Sequence, residues 1–151
     1  MIGRLFAAIP LMFLLVACEK QVVVDLSAVP DDAIQKGVEL MPTYCLTCHG
    51  VGELKMDEML APPLWGVRAH YLSEYTEPQA FVVAMTEFLV DPHFDRSLMP
   101  IEVERYGVKA PVSLGEEEIS SVVWAIYAGE VERPPWSRDY RKLHRDCGAS
   151  W

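Results

Sequence analysis

Apolar residues along this chain fall into three short stretches of helical spacing, separated by longer stretches that have none. In the first, Ile34, Gly37, Val38 and Met41 recur at intervals of three and four and share one face of a helix starting near Pro30. Proline suits a first helical turn, and Asp31 and Asp32 behind it sit well against the positive end of the helix dipole. Pro42, with no N–H to give, is expected to end or kink that helix. The second stretch, from about Pro78 to Val90, places Phe81, Met85, Phe88 and Leu89 on its buried stripe and is stopped by Asp91-Pro92. In the third, Ser113 and Glu116 have capping-box spacing, and Ile119, Val122, Val123 and Ile126 form the apolar face. Gly129 is placed to stop it. Gly50 to Tyr75, with Pro62-Pro63, and Pro100 to Val112 read as loops. No stretch keeps a period of two for long, and there is no repeat or low-complexity tract. The expectation is a small all-α domain, rich in loops, whose thin protein core leaves room for a large apolar cofactor.

The ends of the chain read differently. Residues 1–17 carry Arg4 and then an apolar run from Leu5 to Ala17, too short to span a bilayer comfortably and suited to a signal peptide. The run ends in Leu15-Val16-Ala17-Cys18, which resembles the lipobox of bacterial lipoproteins. That resemblance implies a lipid on Cys18 and an anchor on the periplasmic side of a bacterial envelope, in the inner or outer membrane. The alternative is an ordinary cleaved signal in which Cys18 is incidental. Residues 18–30 read as a tether, 31–131 as the domain, and 132–151 as a basic tail containing Trp136, Tyr140 and Trp151. That tail either docks a partner, folds back on the domain or stays mobile.

Past residue 17, 12 Lys and Arg oppose 22 Asp and Glu, a net charge of −10. Such a balance excludes nucleic acid, whose phosphates need a basic face, and broad contact with anionic lipid. Residues 31–131 carry a net −11 and residues 132–151 a net +2, so a partner protein with a basic docking face is steered to the domain.

Cys45-Leu46-Thr47-Cys48-His49 is a C-x-x-C-H sequence, the signature of covalent haem attachment. The spacing lets Cys45 and Cys48 reach the two vinyl groups on one haem edge while His49 turns its imidazole under the iron as the proximal ligand. A thioredoxin-like redox pair would want a strand before the motif, and a zinc site would want two further ligands, for which no other Cys-x-x-Cys is present. Cys147 is left over, and in an oxidising compartment implies a free thiol or an intermolecular disulfide.

With these residues in view, residues 31–128 resemble the class I cytochromes c. Gly37, eight residues before Cys45, stands where the family has the glycine at its helix crossing. Pro62-x-Leu64-x-Gly66 resembles the loop whose proline carbonyl accepts the proximal histidine's other N–H, which implies that role for Pro62. Leu98-Met99-Pro100 resembles the distal-ligand loop and implies Met99 as the sixth ligand. Trp124 and Tyr127 stand on the helix that crosses Gly37 in the family, either of them at the crossing. Arg68, Tyr71 and Tyr75 follow the proline loop, where the family places donors to the haem propionates, each as readily a surface residue here. Two positions depart from the pattern: Pro42 where the first helix usually continues, and Met41 where an aromatic is usual.

Among the other methionines, Met41 and Met85 sit on apolar helix faces, and Met56 and Met59 follow His49 too closely to pass to the opposite haem face. His70 and His93 are the rival ligands, each read as a solvated loop histidine, with His144 weaker still. Iron held by His49 and Met99 has no vacant position, so the expectation is a non-enzymatic carrier of single electrons, with one heme c, a redox partner protein and no small-molecule substrate. It would serve a respiratory or dehydrogenase chain. The alternative is a haem-based ligand-binding or sensor module with an open or displaceable sixth position.

Overall fold

The computed structural model describes residues 24–30 and 32–145. The signal peptide at 1–17, Cys18 with most of the tether, Asp31, Cys147 and the end of the tail lie outside the described residues. The described chain is all-helical: α1 (Ala33–Tyr44), α2 (Leu46–His49), α3 (Leu64–Glu74), α4 (Pro78–Val90), a 3-10 turn (Phe94–Arg96), α5 (Pro100–Tyr106), α6 (Glu116–Ala128) and α7 (Ser137–Leu143). None of these helices is long and apolar enough to cross a membrane.

The molecule is organised on the crossing of α1 and α6. A Cβ added to Gly37 would lie 2.1 Å from the Ser121 carbonyl oxygen and 2.8 Å from Ala125 Cβ, so only glycine lets the two helices meet there. Ser121 and Ala125 form the opposing surface, with Trp124 and Tyr127 buried on the same helix. On the far side α4 closes the core: the Phe81 ring meets Tyr127 edge-on at 5.2 Å, and Tyr71 meets Phe81 at 5.7 Å. Burying a ring such as Phe81 stabilises the fold by about 2–3 kcal/mol. Because α1, α3 and α4 all pack on α6, burial runs around it and well beyond the stripe of Ile119, Val122, Val123 and Ile126.

The second helix has the bounds that its pattern implies, with Pro78 in the first turn. The first departs from expectation, because Pro42 lies inside α1 and the helix runs on to Tyr44. Proline forfeits a single i→i−4 bond, and packing of the Gly37 and Met41 face on α6 outweighs that loss. Val38, expected on this face, is exposed. The cap of α6 also falls two residues later than its spacing implies. Gly115 is the N-cap, its N–H donating to Glu118 Oε2 at 3.0 Å, while Gly129 ends the helix in the left-handed region at φ 97°.

Three helices stand in stretches that carry no helical pattern. α3 buries Leu64, Gly66, Ala69, His70, Tyr71 and Leu72, which spread over more than one face and so leave no single apolar stripe. α5 and α7 are seven residues each, too short to establish a period. The tether is not free along its described length either. The Asp25 N–H donates to Tyr127 Oη at 3.1 Å, and Val24 and Val29 pack against the core.

Candidate functional site

The last turn of α1 delivers Cys45 directly into α2. The N–H groups of Cys48 and His49 donate to the Cys45 carbonyl at 3.2 and 3.0 Å, winding the C-x-x-C-H sequence into one tight turn. Both thiols are free and half-buried. Burial pushes the Cys45 thiol up to about 11, so it is a neutral thiol at ordinary pH.

His49 is held from outside its own turn. Its Nδ1 lies 2.6 Å from the Pro62 carbonyl oxygen, which can only accept, so Nδ1 carries the proton and Nε2 keeps its lone pair. Burial pulls the imidazole below the usual histidine range, and Lys109 adds to that, while the bond to Pro62 works the other way. The result is a neutral ring of fixed tautomer, the form a metal ligand needs. Pro62-Pro63 supplies the carbonyl for a local reason: Pro63 is the extended N-cap of α3, and α3 holds it still.

Nearby lies a cavity of about 620 Å³, within the range of about 300–1,000 Å³ usual for cofactor pockets. Cys45, Cys48, His49 and Pro62 form one part of its lining, Leu64, Val67 and Tyr71 come from α3, and Met85, Phe88 and Leu89 from α4. Segment 97–113 and, from α6, Val122 and Ile126 also contribute to the lining, and Met99 is buried. Met99 is the N-cap of α5, and its N–H donates to Ser97 Oγ at 3.0 Å. Of the other methionines, Met85 lines the cavity, whereas Met41, Met56 and Met59 do not.

Among the residues expected to meet propionates, the structure brings only Tyr71 to the cavity. Tyr71 is buried beside Tyr75 and Phe81, and burial pushes its phenol well above the usual range. Tyr75 is half-buried and outside the lining. Arg68 turns away to the end of α6, where its Nε donates to the Tyr127 carbonyl at 3.0 Å. The cation that does line the cavity is Lys109, whose Nζ donates to the Tyr106 carbonyl at 2.7 Å. Nothing in its sequence neighbourhood singles Lys109 out except that it is the one base between Arg105 and Arg133.

Of the histidines, His93 matches expectation and His70 and His144 do not. His93 is exposed and sits 2.9 Å from Asp91 Oδ1. His70 and His144, expected in solvent, are buried in α3 and just past α7, with ring centroids 5.4 Å apart. Burial lowers His70 to about 4, with His144 beside it acting the same way. Against His144 lies Glu102, buried at 3 % exposure and lining the cavity. Periodicity has no means of finding this cluster, because its members come from α3, α5 and the residue just past α7, none of which carries a pattern. Among the described residues, no three His, Cys, Asp or Glu side chains gather in a way that would hold a free metal ion.

No family model matches the chain, and no solved structure matches it. An uncharacterized protein of Aquifex aeolicus is 26% identical over 134 residues, a match that takes in 78% of this chain and 87% of its own.

Proposed function

We propose that this chain is a membrane-tethered, single-haem c-type cytochrome that passes electrons one at a time and does no bond chemistry on a substrate. The observation that carries the reading is the 2.6 Å contact from His49 Nδ1 to the Pro62 carbonyl. It fixes the tautomer in which Nε2 is available as a ligand, on a histidine that borders an apolar cavity together with both cysteines and Met99. The donor set fits the group: thiols for covalent attachment, a neutral imidazole and a thioether for the iron, and aliphatic and aromatic walls. When bound, haem supplies a reversible one-electron couple at its iron.

The chain's own residues account for the remaining properties. Cys45 and Cys48 hold the cofactor covalently, so it is not lost in exchange with solvent. His49 and Met99 would both ligate the iron, leaving no place for a substrate, and the soft sulfur of Met99 would favour the ferrous state. The walls from α3 and α4 exclude water and limit reorganisation as charge changes. Lys109 is the cavity-lining cation suited to a propionate. A cytochrome c-like arrangement is the fold that goes with this reading, and the crossing of α1 and α6 at Gly37 supports it. Lipid on Cys18 would keep the protein at the periplasmic face, and the acidic domain would steer a basic redox partner.

The test is covalent haem. Protein from a host competent in cytochrome maturation, run on a denaturing gel and stained for haem peroxidase activity, is expected to give a coloured band. Replacing Cys45 and Cys48 by Ala should abolish it. A colourless wild-type band sinks the reading.

A further inference from the structure

The segment after α6 runs back over the parts of the chain that carry the proposed iron ligands. Near its start, Glu132 Oε2 accepts from the Gly52 N–H at 3.3 Å, and Trp136 Nε1 donates to the Leu54 carbonyl at 2.9 Å. Both contacts fall on the loop just past His49. Next, Arg133 lies over the Trp65 ring at 5.3 Å, and the Tyr140 ring rests on Gly66, where an added Cβ would approach Cε1 to 2.6 Å. At its far end Tyr140 Oη donates to Glu102 Oε1 at 2.9 Å, and His144 Nε2 lies 2.6 Å from the same oxygen. The Tyr140 and His144 rings stack at 4.3 Å, so the two donors are held as a unit.

Glu102 is the residue that this unit controls. It stands in the first turn of α5, whose N-cap is Met99, and the Val103 N–H closes that turn on the Met99 carbonyl at 3.0 Å. A carboxylate buried this deeply is costly unless it is hydrogen-bonded. Among the described residues its hydrogen bonds come only from Tyr140 and His144, and Oε2 is buried with no protein partner. Glu102 and Met99 also share the lining of a second cavity of about 220 Å³, with His70 and His144. A seven-residue helix has little stability of its own, so α5 takes its position from what holds it.

We propose that the segment carrying α7 is a latch on the sixth ligand, with Tyr140 and His144 as positioning residues that hold Glu102, the first turn of α5 and thereby Met99 against the cavity. This rests on the reading of Met99 as an iron ligand. The latch sets how often the Met99 loop opens, and hence how readily an exogenous ligand reaches ferrous iron. Losing a buried hydrogen bond to a carboxylate raises the open population on the order of tenfold.

The test uses the full-length, haem-loaded protein and three readouts: the weak far-red band of iron–sulfur coordination, the rate of carbon monoxide binding when reduced, and amide hydrogen exchange over residues 99–106. In Tyr140→Phe and in His144→Ala, carbon monoxide binding is expected to quicken on the order of tenfold, with faster exchange in α5 and unchanged exchange in α6. His144→Gln keeps an N–H donor and should restore most of the wild-type rate. Val123→Ala, at a fully buried core position of α6, should lower thermal stability and leave carbon monoxide binding alone. The latch is overturned if Tyr140→Phe and His144→Ala bind at the wild-type rate, or if Val123→Ala speeds binding as much as they do. Should His144→Ala fail to accumulate, Tyr140→Phe, which keeps its ring over Gly66, carries the test. A wild-type protein that lacks the band and binds carbon monoxide at once overturns Met99 ligation itself, which is seen before any variant is read.

Discussion

Among the described residues, two close approaches over a glycine join helices distant in the chain, at Gly37 and Gly66, and they differ in what stands on the far side. At Gly37 the neighbour is the backbone of α6: a carbonyl oxygen and the Cβ of Ala125, neither of which has a rotamer to change. At Gly66 the neighbour is the ring of Tyr140, at the end of two rotatable bonds on a seven-residue helix. The first joint is made by helices of 12 and 13 residues packed on apolar faces. The second is made by stacked rings and hydrogen bonds gathered on a single carboxylate. Apolar packing resists any displacement, whereas a few directional bonds can break and reform without disturbing the remainder of the fold. On the proposed reading the two joints would divide the work: a rigid frame at the α1–α6 crossing, and an adjustable hold on the segment that carries Met99.

The harshest test of the rigid joint is Gly37→Ala. The new methyl cannot be absorbed by a side-chain rotation, so α1 and α6 must move apart along the core. We expect a loss of about 3 kcal/mol or more, read as the midpoint of denaturant unfolding of the haem-loaded protein. A loss below about 1 kcal/mol would mean that the helices slide freely, and the contrast between the joints would collapse.

Gly66→Ala probes the adjustable joint in the same way and should cost less, about 1–2 kcal/mol, because the Tyr140 ring can swing aside. Its second consequence separates it from Gly37→Ala. Moving that ring draws Tyr140 Oη away from Glu102, so carbon monoxide binding should quicken as it does in the latch variants. If Gly66→Ala destabilises the protein as much as Gly37→Ala and leaves ligand binding untouched, α7 belongs to the rigid frame.

The two joints also differed in how far the sequence disclosed them. Ile119, Val122, Val123 and Ile126 mark α6 because a helix buried mainly along one side repeats its apolar residues, and α4 is legible for the same reason. The cysteines and His49 stand out because their spacing has few other uses, whereas Met99 is singled out by the resemblance; the structure puts all four in the lining of one cavity. The partner of Gly66 is not legible. Tyr140 is 74 positions further on, in a tail whose charges and prolines suggest nothing buried. Glu102 and His144 resemble ordinary surface residues, because burial of a polar group depends on partners brought by tertiary structure and not on local pattern. α3 is hidden by the opposite cause: it is buried on several faces and so shows no period. Pro42 shows propensity losing to packing, the helix continuing through it because the Gly37 face is already committed to α6.

The smallest effect concerns Arg68, and it tells the frame from the cofactor site. For Arg68, from its place after the proline loop, the resemblance implies either a propionate contact or a surface position. In the structure its Nε bonds the Tyr127 carbonyl, and its guanidinium lies against Gly129, where an added Cβ would be 3.7 Å from Cζ. Tyr127 is in the last turn of α6, whose final carbonyls lack intrahelical partners, so Arg68 acts there as a side-chain cap at the negative end of the helix dipole. Arg68→Met should therefore lower thermal stability by about 1 kcal/mol and leave the reduction potential where it is. Lys109→Met should do the reverse. It removes the cation that lines the cavity, and with it a charge that would favour the reduced state of a haem bound there, so on the proposed reading the potential should fall while stability hardly changes. Titrating both variants electrochemically beside the wild type decides the matter. A fall in potential for Arg68→Met and none for Lys109→Met would return Arg68 to the propionates.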